Sequence, residues 1–128
     1  MEICTTNGIT VRVTAQYLPE HSNPRGLKFI FGYQISIENG SRNTVQLLRR
    51  KWFITDSFGS VREVEGDGVV GLQPILEPGQ SHEYVSFCNL FTEFGKMRGF
   101  YTMLSQSDGE EFEVEIPEFR MVAPSILN

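Results

Sequence analysis

Apolar and polar positions alternate with a period of two over most of the chain, the pattern of strands with one buried face. Ile9, Val11, Val13, Ala15 and Tyr17 fall on one side of a first strand, against Thr10, Arg12, Thr14 and Gln16 on the other. A loop at 19–26 carrying Pro19 and Pro24 follows, and then Phe29, Phe31, Tyr33, Ile35 and Ile37 line one side of a longer strand. Asn39-Gly40-Ser41 marks a turn. In the next run Val45 and Leu47 keep one phase while Leu48, Trp52 and Ile54 keep the other, which predicts a bulge near Leu47 and Leu48. Further strands are expected at 61–65, 84–88, 100–104 and 111–116, with an irregular stretch at 89–99. Glu77-Pro78-Gly79-Gln80 reads as a turn, because Pro presets one turn position and Gly permits positive φ at the next. Asp108-Gly109 reads as a hairpin turn that sends Phe112, Val114 and Ile116 inward. The count is seven or eight short strands, with no amphipathic helix, repeat or linker. Turns about every ten residues favour an all-β antiparallel sandwich of the immunoglobulin or fibronectin type III kind, with a barrel as the alternative.

Composition narrows the setting. At 128 residues a single domain, 1–128, with one core is expected. Eleven Lys and Arg against sixteen Asp and Glu leave a net charge of −5, which disfavours nucleic acid and anionic membranes as partners. The two cysteines, Cys4 and Cys88, are too few for a disulfide framework and lack C-x-x-C spacing. With no signal peptide and no apolar run of membrane-spanning length, the expected location is the cytoplasm.

The stretch at 66–79 offers a nucleotide-binding pattern and then contradicts it. Gly66, Gly68 and Gly71 fit G-x-G-x-x-G, whose glycines normally open a helix that holds a pyrophosphate on its N-terminus. Pro74 and Pro78 follow here, and proline inside a helix removes a donor and clashes with the preceding turn. The dinucleotide-binding fold is therefore excluded. The loop stays a candidate anion concavity, set against a structural reading in which glycine supplies positive φ and close strand approach. Arg49, Arg50 and Lys51 beside Trp52 offer cations next to an aromatic plane for a small phosphate ligand. Strand alternation puts Arg49 and Lys51 on the face opposite Arg50 and Trp52, which argues against one shared site and for edge charges plus a core Trp.

Glu63, Glu65 and Asp67 project to one side of a strand, as do Glu111, Glu113 and Glu115. Grouped carboxylates are candidate ligands for a hard divalent cation, although exposed sheet faces are also acidic for solubility. His21 and His82 lack the spacing of a soft-metal site; one would need His82 with Cys88, or His21 with Cys4, to converge. Cys88 reads as a buried hydrophobe. No Ser or Cys sits in an elbow motif with a histidine base, so no catalytic residue and no cofactor are assigned.

Several long motifs in one order resemble the ApaG family. They are Tyr17-Leu18-Pro19-Glu20, Val45-Gln46-Leu47-Leu48-Arg49-Arg50-Lys51-Trp52, Ile54-Thr55-Asp56, the run from Glu63 through Pro74, Leu76-Glu77-Pro78-Gly79, Gly99-Phe100-Tyr101-Thr102-Met103 and the terminal Glu-Val-Glu-Ile-Pro-Glu-Phe ending at Phe119. The likeness spans about residues 6–122. It implies a fibronectin-type sandwich, found as a short bacterial protein and as a module of some F-box proteins and a DNA-polymerase-delta-interacting protein. It also implies an association with cobalt tolerance and magnesium efflux, and no established enzymatic activity.

Two readings from different classes follow: a non-enzymatic module that presents strand edges, or the loops at 19–26 and 89–99, to a protein partner, and a binder of a small phosphate ligand or divalent cation. A third, a phosphohydrolase, lacks a catalytic set. Paired sheet edges would equally make a homodimer.

Overall fold

A computed structural model describes residues 1–124. Nine strands form two antiparallel sheets that face each other as a sandwich. The first sheet runs β1 (Glu2–Thr6), β2 (Ile9–Tyr17), β3 (Phe29–Asn39) and β7 (Ser81–Leu90) in that spatial order. The second runs β5 (Val61–Asp67), β4 (Val45–Asp56), β8 (Phe94–Ser105) and β9 (Glu111–Val122), with the two-residue β6 (Ile75–Leu76) adding to β4 beyond β5. No α-helix occurs among the described residues.

The alternating pattern sets which face is buried. Ile9, Val11 and Val13 of β2 and Phe29, Phe31, Tyr33, Ile35 and Ile37 of β3 are buried against the second sheet, whereas Ala15 of the expected inward row is exposed. Trp52 is 2% exposed and packs edge-on against Tyr33 and Phe119, with ring centroids 5.5 and 5.9 Å away. Such offset aromatic packing adds roughly 0.5–1.5 kcal/mol per pair beyond simple burial. The register of β4 shifts between Leu47 and Arg49, where the change of phase predicted a bulge. Gln80 donates to Glu77 O at 2.9 Å and Gly79 has φ 87°, so the predicted turn there forms.

Two strands, β1 and the two-residue β6, were not among those expected, and the stretch 89–99 also departs from its expectation. β1 was not anticipated, although it is joined to β2 by Asn7-Gly8 with φ 49° and 82° and Thr6 paired to Ile9. Asn-Gly is the strongest short hairpin signal because both residues must take positive φ. The stretch 89–99, expected as irregular, is mostly strand: β7 reaches Leu90 and β8 starts at Phe94. The connection is tightened by buried Thr92, whose hydroxyl accepts from Ser57 N and donates to Phe94 O at 3.2 and 2.8 Å. A second bulge, unforeseen, lies where β8 and β9 shift register between Met97 and Gly99. Pro117 sits there, a residue that cannot donate to a regular ladder.

The two lateral sides of the sandwich differ. On one side β9 packs against β1 and β2, and Glu115 N donates to Thr6 Oγ1 at 3.2 Å. On the other side β5 and β7 stand apart, bridged by Arg62, whose guanidinium donates to the Asn89 carbonyl and reaches Cys88 Sγ at 3.7 Å.

Candidate functional site

β4 and β5 set the two sequence-derived clusters side by side, with Arg49 opposite Asp67, Arg50 opposite Gly66 and Lys51 opposite Glu65. An open depression of about 270 Å³ lies over this junction, lined also by Phe100 and Thr102. Alternation divides the cations between two faces, as their spacing predicts. Arg49 pairs with Glu111 on the outer face, and Lys51 lies 2.9 Å from Glu65 and 4.0 Å from Glu63. Arg50 turns inward, and its Nη1 donates to the carbonyls of Asp67 and Gly68, both at 2.9 Å.

That clasp explains the glycine at position 66, since a Cβ there would stand 2.8 Å from the Arg50 guanidinium. Gly68 has φ 61°, and a Cβ on it would overlap the Leu72 carbonyl. Val69 and Leu72 exchange both backbone hydrogen bonds, at 2.8 and 3.0 Å, around Val70 (φ 48°) and Gly71 (φ 79°). Gly68 N donates to Leu48 O at 2.8 Å. The amides of Gly68, Val69 and Leu72 are thus committed to carbonyls of the chain rather than turned together towards a ligand.

The acidic rows flank the basic row of β4. Glu63 and Glu65 on β5 serve Lys51, and Glu111 on β9 serves Arg49, so carboxylate and cation alternate across the outer face. Phe53 lies between Arg98 and Lys51, whose charges stand 4.4 and 5.4 Å from its ring centre. Among the described residues no three His, Cys, Asp or Glu side chains group to hold a metal ion. His82 and Cys88 share β7 six positions apart, about 20 Å along a strand. Cys4 instead lies 3.6 Å from Glu115.

A cluster that the sequence did not signal occupies the interior beside Arg50. Tyr84 and Tyr101 join hydroxyls at 2.5 Å, and Tyr33 stands opposite Ser86 in the strand register. Burial pushes the pKa values of Tyr84 and Tyr101 upward, which keeps both phenols neutral.

The free edge of β7 is the other feature that sequence reasoning missed. Its inward row, Tyr84, Ser86 and Cys88, is half-buried or buried, yet its outward row also carries Val85 and Phe87. Val85, Phe87 and the adjoining Phe91 are 55%, 63% and 60% exposed. Apolar residues in both phases suit a strand covered on both faces, and here one face is bare. Phe87 lies beside Gly32 on β3, and Arg62 stacks over Phe91 with its charge 5.8 Å from the ring centre. Among the described residues, the buried side-chain polar atoms without a hydrogen-bond partner are His82 Nε2 and Asn89 Oδ1, both on β7.

Known proteins share this architecture and sequence. A family model for the ApaG domain matches residues 19–105. Protein ApaG of Pseudomonas aeruginosa is 47% identical over 124 residues, covering 97% of this chain and 98% of the relative. Protein ApaG of Brucella abortus is 47% identical over the same length, covering 97% of this chain and 95% of its own. The crystal structure of the putative ApaA protein from Bordetella pertussis superposes with a TM-score of 0.87 at 44% identity, covering 91% of this chain and 94% of that one. Sequence and fold agree over nearly the whole length, and the chain belongs to the ApaG domain family.

Proposed function

We propose that this chain is a non-enzymatic protein-interaction module that engages its partner along the free edge of β7. The observation that carries this reading is that β7 is an edge strand with apolar side chains in both phases, so Val85, Phe87 and Phe91 stay exposed. An unpaired edge offers a row of backbone donors and acceptors to an added strand, and alternate side-chain pockets supply selectivity. The other edges are less available: β5 is lined by Arg62, Glu63, Glu65 and Asp67, and β1 and β9 pack together. The histidines support the non-enzymatic reading, since His21 is exposed in a short 3-10 turn and His82 stacks on Tyr84, 6.2 Å between ring centres.

A photoreactive phenylalanine analogue placed at position 87 is expected to cross-link a protein in cells, and the same analogue at position 100 is not. Equal labelling from both sites would remove the assignment of the edge. The competing reading, a ligand site in the depression over Gly66, is tested by thermal unfolding with magnesium, cobalt, pyrophosphate and nucleotides. A ligand at a hundredfold excess over its Kd would add about 2.7 kcal/mol and move the midpoint by several degrees. No shift is expected, and a saturable one would favour the ligand site.

A further inference from the structure

We infer that the partner on the β7 edge is a second copy of this chain, paired antiparallel through β7 about a two-fold axis at Ser86, so that the two first sheets join into one continuous sheet. The inference rests on the reading of β7 as the docking edge and adds its occupant and register.

The phase of the strand limits the choice. The Asn89 carbonyl points away from β3, because it accepts from Arg62 of the opposite sheet. Backbone direction alternates along an antiparallel strand, so Ser81, Glu83, Val85 and Phe87 also turn their backbone groups to the free edge. These residues carry the outward side chains as well. An isologous pairing must place one odd-numbered residue opposite another, and axes at Tyr84, Val85, Ser86 and Phe87 achieve this around the apolar part of the strand; the last opposes Val85 to Asn89 and carries Glu83 past the end of β7 at Leu90. An axis at Val85 sets the Glu83 carboxylate opposite Phe87 of the second copy, and an axis at Tyr84 sets it opposite Val85. An axis at Ser86 instead opposes Val85 to Phe87 twice, an aromatic and β-branched pair of the kind that favours strand pairing. It also brings Glu83 opposite Asn89 of the second copy, beside the Arg62 guanidinium that already holds the Asn89 carbonyl.

Charge complementarity therefore selects a second copy and this register. Arg62 has no carboxylate partner among the described residues, nor has Glu83. Arg62 ends the ladder at Asn89 and meets the carboxylate that the two-fold axis delivers. Arg62 also stacks on Phe91, so the guanidinium is already held at the end of the edge where Glu83 of the second copy arrives.

Sedimentation of the intact chain over a concentration series tests this. A monomer–dimer equilibrium is expected, with Phe87→Asp shifting it to monomer while the far-UV spectrum and melting are retained. Glu83→Arg and Arg62→Glu are each expected to weaken the dimer at least tenfold, and the doubly swapped chain to recover it. Ser86 faces its own copy in a non-hydrogen-bonded pair, whose Cα separation of about 4.5 Å suits a disulfide. Ser86→Cys in a Cys4→Ser, Cys88→Ser background should thus form a covalent dimer on mild oxidation, and Thr14→Cys in the same background should not. A chain that stays monomeric throughout, or a dimer indifferent to Phe87→Asp and to the charge swaps, overturns the inference. So does a dimer without the Ser86→Cys cross-link. If the analogue at position 87 labels another protein while no dimer forms, only the occupant is wrong; if it labels nothing, the docking edge fails too.

Discussion

Gly68 and Gly71 share a positive φ yet stand in different surroundings, so the same substitution separates two physical effects. Nothing lies within 4 Å of a Cβ built on Gly71, and Gly71→Ala should cost only the left-handed backbone penalty, about 1–2 kcal/mol. At Gly68 the Leu72 carbonyl occupies the space, and displacing it adds overpacking of about 1–3 kcal/mol. Urea unfolding of the two variants is expected to rank Gly68→Ala as the more damaging, and the reverse order would mean that the loop is not held as described. The residue pattern G-x-G-x-x-G was legible in the sequence, and so was the failure of the helix that should follow. The physical task of each glycine was not legible, because it depends on Arg50 and Leu72, which reach the loop only after folding.

The clasp between β4 and the loop after β5 works at the scale of the element. Arg50 holds the carbonyls of Asp67 and Gly68 from the inner side of the sheet. Arg50→Met keeps much of the aliphatic stem but leaves these acceptors without their donor, at about 1–3 kcal/mol. Amide exchange at 66–72 should accelerate relative to the strands that flank it, whereas Arg49→Met, on the exposed face, should change stability by less than about 1 kcal/mol. Equal effects from the two substitutions would contradict the division of the cations between faces. That division followed from alternation alone, but the placement of acids on both flanks of Arg49 and Lys51 needed the strand order. Glu63 and Glu65 are near Lys51 in neither sequence nor simple periodicity; antiparallel pairing of β4 with β5 puts them there. The same holds for β7, where apolar residues in both phases were visible but its edge position was not.

The stability of the whole molecule should carry a signature of its buried neutral phenols. Burial raises the folded-state pKa values of Cys88, Tyr84 and Tyr101 above their ordinary values of 9.0 and 10.0. Each group therefore stays neutral in the folded state at a pH where the unfolded chain ionises. The stabilisation is complete below about pH 9 and is lost as the pH rises towards the shifted values. Urea midpoints measured from pH 7 to 11 should be level at first and then fall, and Tyr84→Phe with Tyr101→Phe should flatten the alkaline decline. An unchanged decline in that double variant would show that these phenols do not govern it. At this scale the asymmetry of the sandwich also appears, with β9 closing one side on β1 and β2 while on the other Arg62 bridges β5 to the edge of β7.

The sequence by itself determined the all-β class, most strand positions, the bulge near Leu47, the turns at Gly79 and Gly109 and the inward rows, because each depends on residues close along the chain. It also carried the Asn7-Gly8 hairpin signal that defines β1, and a family resemblance borne by several long motifs. Only the tertiary structure decided which strands lie at edges, which carboxylates neutralise Arg49 and Lys51, and which tyrosines meet behind Arg50. Those are contacts between residues distant in sequence, and their partners are set by strand order and sheet stacking rather than by periodicity.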